Sequence, residues 1–316
     1  MKLWAKKDRA RGWTGVDSGP EGIFGVSVRP PATSGGKPQV VKCASMPETE
    51  PSPDVLSRLS RKLSVAGLPW ALSLDRSDYS IMVIPEPPVL PSEMEQSVRW
   101  SLGTLIKYPA EEANIAWMSI PTKGHLPNRQ THIYVIAARS EIVLHRAEPF
   151  RRAKLPLQAL DVRETTQRNI AALLEKPGEG LGLVVLSNQG VAITFTFEGE
   201  LFLDRFIKEP LAAILASDDE GREKVFDRIT LQLQRSIAFI NRTLPFMTIG
   251  RIVLAPLPSP LALREHLARN IAEPVEMLDL DTLFDLSLTP ELLAEKSQAR
   301  YFSALGAALR GMGKAS

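Results

Sequence analysis

Residues 13–31 read WTGVDSGPEGIFGVSVRPP: two short β-prone runs on either side of a Gly/Pro turn, which predicts a hairpin with Asp17 near its tip. Asp17-Ser18-Gly19 admits three chemistries: a proteolytic aspartate, a phosphate loop, or a plain turn. A pepsin-type protease needs two Asp-Ser/Thr-Gly turns, so that paired carboxylates share one proton. The sequence holds only this one, which argues against protease chemistry.

Working outward, the Pro/Ser/Gly-rich segments PPATSGGKPQ and MPETEPSPD enclose VVKCAS, a predicted third strand. From Ser52 to Ala66, Val55, Leu56, Leu59, Leu63 and Ala66 follow at helical spacing, and WALSLD reads as another strand. YSIMVIPEPPVL is a strand stopped by prolines. PSEMEQSVRWSLGTLI after it is a predicted helix with Met94, Val98, Leu102 and Leu105 on one face. At about 100° per residue Trp100 falls roughly 140° or more from that stripe, on the polar side beside Gln96, Gly103 and Lys107. NIAWMSIP and HIYVIAAR, with a turn between them, complete an α/β insert. LDVRETTQRNIAALLEKPG has Asp161 and Glu164 in cap-like positions and Pro177-Gly178 as a stop.

The second half restarts the pattern. LGLVVLSNQGVAITFTFEGELFLDRFI gives three strands with turns at 187–190 and 198–199. Phe226, Ile229, Leu233, Ile237, Ile240 and Leu244 then mark one long amphipathic helix. Strand RIVLAP, helix SPLALREHLARNI, strand PVEMLD and a helix through YFSALGAALRG follow, so the element order predicts a duplication. The expected division is 12–75 and 151–178 for a first lobe, 76–150 for the insert, 179–290 for a second lobe, and 291–316 for a helix returning to the first.

The chain of 316 residues carries a formal net charge of +2, which lacks the basic footprint of a nucleic-acid binder. Cys43 is its single cysteine, and His125, His132, His145 and His266 show no close ligand spacing, so no thiolate cluster or zinc site is expected. No apolar run approaches the roughly 20 residues of a membrane span, which predicts a cytoplasmic protein. Lys2, Lys6, Lys7, Arg9 and Arg11 with Trp4 make a short basic arm. It reads either as a solvated start or as a weak patch for an anionic membrane surface.

The meander-first order with an α/β insert resembles the two-lobed actin-like fold in the form taken by the FtsA and PilM proteins, with the insert as a 1C-like subdomain. SVRWSLGTLIKYPAEEANIAW, LQLQRSIAFINRTLPFMTIGRIVLAP and YFSALGAALRGM resemble segments of the PilM family, and the chain as a whole is most similar to the MshI group of mannose-sensitive haemagglutinin pilus systems. The resemblance assigns Asp17 and Gly19 to a first phosphate loop, where Pro20 removes an N–H and Phe24 replaces a lysine. It assigns Leu186-Ser187-Asn188 to a second phosphate loop that offers no carboxylate, and Ala255-Pro256-Leu257-Pro258 to an adenine loop that lacks the glycines for close approach.

The resemblance therefore implies a protein that is not an enzyme and needs no cofactor or metal. Its implied place is the cytoplasmic face of the inner membrane, in the type IV pilus platform, where it binds the short tail of a PilN-type bitopic membrane protein. Trp100, Gly103, Tyr108 and Pro109 are the expected docking residues for such an extended peptide. A nucleotide-dependent actin-like ATPase and the cytoplasmic domain of a GspL-type secretion protein stand as alternatives; the latter is normally followed by a membrane span, which is not expected after Ser316.

Overall fold

The fold is a computed structural model that describes residues 12–33, 35–65, 67–122, 126 and 130–312; the basic arm and Ala66 lie outside them. In chain order the elements are β1 (Trp13–Gly19), β2 (Gly22–Arg29), β3 (Gln39–Met46), α1 (Pro53–Leu63), β4 (Trp70–Ser73), β5 (Ser80–Pro85), α2 (Met94–Leu102), β6 (Ala113–Ser119), β7 (His132–Arg139), α3 (Ser140–Arg152), β8 (Leu157–Asp161) and α4 (Arg163–Leu174). The second half runs β9 (Gly180–Ser187), β10 (Gly190–Phe197), β11 (Glu200–Ile207), α5 (Leu211–Ala216), α6 (Asp219–Thr243), β12 (Ile249–Leu254), α7 (Leu263–Asn270), β13 (Val275–Met277) and α8 (Glu295–Ala308).

Two five-stranded sheets have the same plan, β3-β2-β1-β4-β8 and β11-β10-β9-β12-β13. Each is an antiparallel meander extended by two parallel strands. The duplication in the element order is thus a duplication of topology. In the first hairpin Gly19 pairs with Gly22, leaving Pro20 and Glu21 as the turn. Proline's fixed φ suits the first central position of such a turn. α1 starts where the Ser52 hydroxyl accepts the Val55 N–H at 3.3 Å, and it buries Val55, Leu56, Leu59 and Leu63 on the sheet.

α8 crosses β1 so closely that a Cβ on Gly15 would stand 1.9 Å from the Ala304 carbonyl oxygen. Gly306 is matched in the same way: a Cβ there would meet the Thr166 carbonyl of α4 at 2.4 Å. Only glycine permits these backbone contacts.

The insert is a three-stranded antiparallel sheet, β5-β7-β6. One face, with Ile84, Ile133 and Val135, lies under Val98 and Leu102 of α2. The other is shared between the lobes. Tyr134 and Ile120 join the second-lobe core, while Ala138 and Phe150 join the first, where Phe150 meets Trp70 edge to face at 6.1 Å.

Three local expectations are corrected. α2 ends at Leu102, so Leu105 does not extend the apolar stripe; it is 52% exposed, and Ile106 packs against the insert core instead. Asp161 belongs to β8 and is no helix cap: Val162 precedes α4, and Thr165 closes the first turn on the Val162 backbone. α3 and β8 themselves lie between the predicted elements. The buried Cys43 thiol donates to Glu291 at 3.1 Å, and burial pushes its pKa up to about 12.

Candidate functional site

Two places gather the residues singled out in the sequence. The first is the cleft between the lobes. There the β1–β2 turn (Asp17, Gly19, Pro20), the β9–β10 turn (Leu186 to Gln189) and the Ala255–Pro258 segment after β12 converge on a cavity of about 120 Å³. The three loops assigned by resemblance to phosphates, metal and adenine are therefore neighbours in space.

The charges in this cleft answer one another. Asp17 is paired with Arg163 at 2.8 Å, with side chains 15% and 14% exposed. Burial raises the Asp17 pKa, and Arg163 opposes the shift without cancelling it. Beside the pair, the Tyr79 hydroxyl donates to Glu164 at 2.7 Å and accepts from the Arg163 N–H at 3.0 Å. Burial raises Glu164 and holds Tyr79 well above the ordinary phenol range.

A polar bridge spans the cleft at the junction of first lobe and insert. The Gln189 side chain donates to Asp75 at 2.6 Å, and its carbonyl oxygen accepts the Arg76 N–H at 2.9 Å. The Arg76 guanidinium lies 3.3 Å from Glu164 and stacks on Tyr79 and on Phe206 of the second lobe, 5.0 and 5.4 Å from their ring centres. Nearby, burial holds the Tyr134 phenol of the insert well above its ordinary range and raises the Asp204 carboxyl of β11. The sequence reading passed over Asp75, Arg76, Arg163 and Gln189. Their one local signal is the polar stretch DRSDY at 75–79, where the expected first lobe gives way to the insert.

The second place is the outer face of the insert. Of the fourteen exposed large apolar side chains among the described residues, seven (Val83, Val89, Leu90, Trp100, Leu105, Trp117 and Leu144) lie within 76–150, although Val83, beside Tyr134, is on the opposite face of the sheet. Trp100 is 88% exposed, on the side of α2 that faces away from the sheet. Gly103 follows it with open space, since an added Cβ would meet only the Trp100 carbonyl at 3.5 Å.

The backbone around Trp100 is pinned. Arg99 donates to the carbonyls of Ala110 and Ala113, the latter at 3.0 Å, and pairs with Glu95 at 3.0 Å. Arg139 stacks on Tyr108 at 4.4 Å and reaches Glu112 at 3.2 Å. Tyr108 is half-buried beneath that guanidinium, whereas Pro109 is exposed and leads into the short 3-10 turn at Ala110–Glu112. Trp100, Gly103, Tyr108 and Pro109 therefore share one short stretch of helix and loop, fixed by Arg99 and Arg139, which the sequence reading did not select. Among the described residues no helix is long and apolar enough to cross a membrane.

No protein-family model and no curated protein matches the sequence. Solved structures do match. The chain is similar to a structure described as the PilM-PilN type IV pilus biogenesis complex, with a TM-score of 0.74 at 18% identity over 96% of this chain and 100% of that one. Weaker likenesses are a Bacteroides thetaiotaomicron protein of actin-like ATPase fold and unknown function (TM-score 0.47, 11% identity, 93% of this chain and 100% of that) and the cytoplasmic domain of EpsL, an inner-membrane component of the Vibrio cholerae type II secretion system (0.44, 10%, 82% and 93%). The fold is the two-lobed actin-like α/β fold with an inserted α/β subdomain.

Proposed function

We propose that this chain is a scaffold of a type IV pilus assembly platform of the MSHA kind. It stands at the cytoplasmic face of the inner membrane and binds the short tail of a PilN-type bitopic protein on the outer face of its insert, with no turnover of nucleotide. The observation that carries the reading is Trp100: a tryptophan 88% exposed on a helix whose following loop is held by two arginines. An aromatic kept in water on a held backbone is an anchor available to a partner. The likeness in fold to the PilM–PilN structure supports the choice of partner class.

The cleft residues do not fit a magnesium triphosphate. Asp17, the one carboxylate in the phosphate-loop position, is already neutralised by Arg163. Pro20 has no N–H to offer, and no acid lies between Leu186 and Gln189. The cavity of about 120 Å³ is well under the roughly 300 Å³ at which pockets for ligands of drug size begin.

The direct test uses a peptide copied from the cytoplasmic tail of the membrane protein encoded immediately downstream. Trp100→Ala should weaken its binding at least about tenfold while the melting curve stays in place. Unchanged affinity with a normal melt would reject this face. Calorimetry with Mg-ATP tests the cleft separately, and a dissociation constant below about 100 μM would overturn the nucleotide-free reading.

A further inference from the structure

The long helix α6 has two seams. The inner one, with Phe226, Ile229, Leu233, Ile237 and Ile240, is buried in the second-lobe core. The outer one runs Arg228, Leu231, Arg235, Ala238, Arg242, alternating steps of three and four residues; every one of these positions is exposed. That spacing keeps side chains in line along a helix and is the spacing by which two helices pack side by side. Leu231 is 43% exposed and the adjoining Phe239 37%.

Charge is divided along the same face. Asp218, Asp219, Glu220, Glu223 and Asp227 outnumber Arg222 and Lys224 in the N-terminal turns, and Arg228, Arg235 and Arg242 carry the rest. Some are paired within the chain: Glu220 with Lys224 at 2.7 Å, Arg228 with Glu209 at 2.8 Å, and Asp227 with His266 at 3.2 Å. The Glu220–Lys224 pair is exposed on both sides, hence weak and exchangeable, whereas Asp227 and Arg228 are the exposed members of pairs whose partners, His266 and Glu209, are 8% and 24% exposed.

We propose that α6 packs antiparallel on α6 of a second copy of this chain. A two-fold axis through Leu231 sets Leu231 against Leu231 once, on the axis, and sets Arg235 against Asp227 and Arg242 against Glu220 twice each by symmetry, with Arg228 opposite Gln234 and Lys224 opposite Ala238. A parallel pairing would set like charge on like. The acidic end counts against an anionic membrane as the occupant, because it would face the same surface as the arginines. A single helix pair buries less than the roughly 1,200 Å² of a standard interface, so the dimer is weak and forms with rising concentration. The inference is independent of the tail-binding face, which lies on other elements.

The test is Leu231→Cys in the full chain, whose one native cysteine, Cys43, is buried. At about 100 μM under mild oxidation it should form a disulfide-linked dimer, and sedimentation of the unmodified protein should show monomer–dimer exchange in the same range. Arg235→Glu with Arg242→Glu should weaken the dimer at least about tenfold, and adding Asp227→Arg with Glu220→Arg should restore it. Three results overturn the proposal: a monomer with no crosslink at that concentration, a dimer indifferent to charge reversal, or a monomer that instead pellets with anionic vesicles in an arginine-dependent way.

Discussion

The cleft between the lobes and the outer face of the insert treat their chemistry in opposite ways. In the cleft Asp17 is answered by Arg163, Asp75 by Gln189, and Glu164 by Tyr79 and Arg76, so each charge has a partner within the chain, although Arg163 Nε and Gln167 Oε1 make no hydrogen bond among the described residues. On the insert Trp100 is left almost wholly in water while Arg99 and Arg139 tie down only the backbone and ring beside it. A region whose polar groups are satisfied by one another contributes to stability. One that leaves a large apolar side chain uncovered on a backbone held in place is disposed to bind.

This contrast can be broken most forcefully at Arg163. Arg163→Ala leaves the buried Asp17 carboxylate unpaired and should cost about 3–5 kcal/mol in urea unfolding. If millimolar Mg-ATP restores the lost stability, the cleft is a ligand site after all. Next comes the bridge. Gln189→Ala removes both contacts to Asp75 and Arg76 and should cost about 1–3 kcal/mol, with faster limited proteolysis between the lobes as the second readout. Equal protease resistance would mean that the bridge does not hold the lobes.

Trp100→Ala sharpens the other side: the unfolding free energy should move by less than about 0.5 kcal/mol, as for an exposed residue with no buried partner. A larger loss would show that the tryptophan belongs to the core. The smallest effect is with pH. Asp17, Glu164, Glu175 and Asp204 are all raised, chiefly by burial, so the folded state holds their protons more tightly than the unfolded chain does. Stability therefore falls as pH rises through the window between the ordinary carboxylate range and the raised values. The melting temperature should rise on acidification from neutral pH towards, but not into, the ordinary carboxylate range, and Glu164→Gln should flatten that rise.

Much of the fold is legible in short-range signals. The Gly/Pro turns of both meanders, the periodicity of α1 and α6, and the phase that puts Trp100 outside are all local properties, and each is realised. α3 was hidden because it follows β7 directly: Arg139 gives no side-chain cap, and Pro149 sits inside the helix. β8 was hidden because its five residues run into α4, so that Asp161 imitated a cap while pairing with Arg310 at 2.8 Å. The bridge could not be read at all. Gln189 and Asp75 are far apart in sequence, and nothing in either segment announces the other. Arg163, likewise, looks like an ordinary first-turn residue until folding sets it on Asp17.

The seat that Gly15 makes for α8 has a bearing on how the protein is born. β1 leaves the ribosome well before the helix that covers its glycine. At about 5–20 residues per second, roughly 15–60 s separate the synthesis of Gly15 from that of Ala304. Through that interval the strand's face, shaped for a backbone at van der Waals distance, has nothing of its own to close on. The first lobe is thus obliged to finish after the second, although its strands are made first.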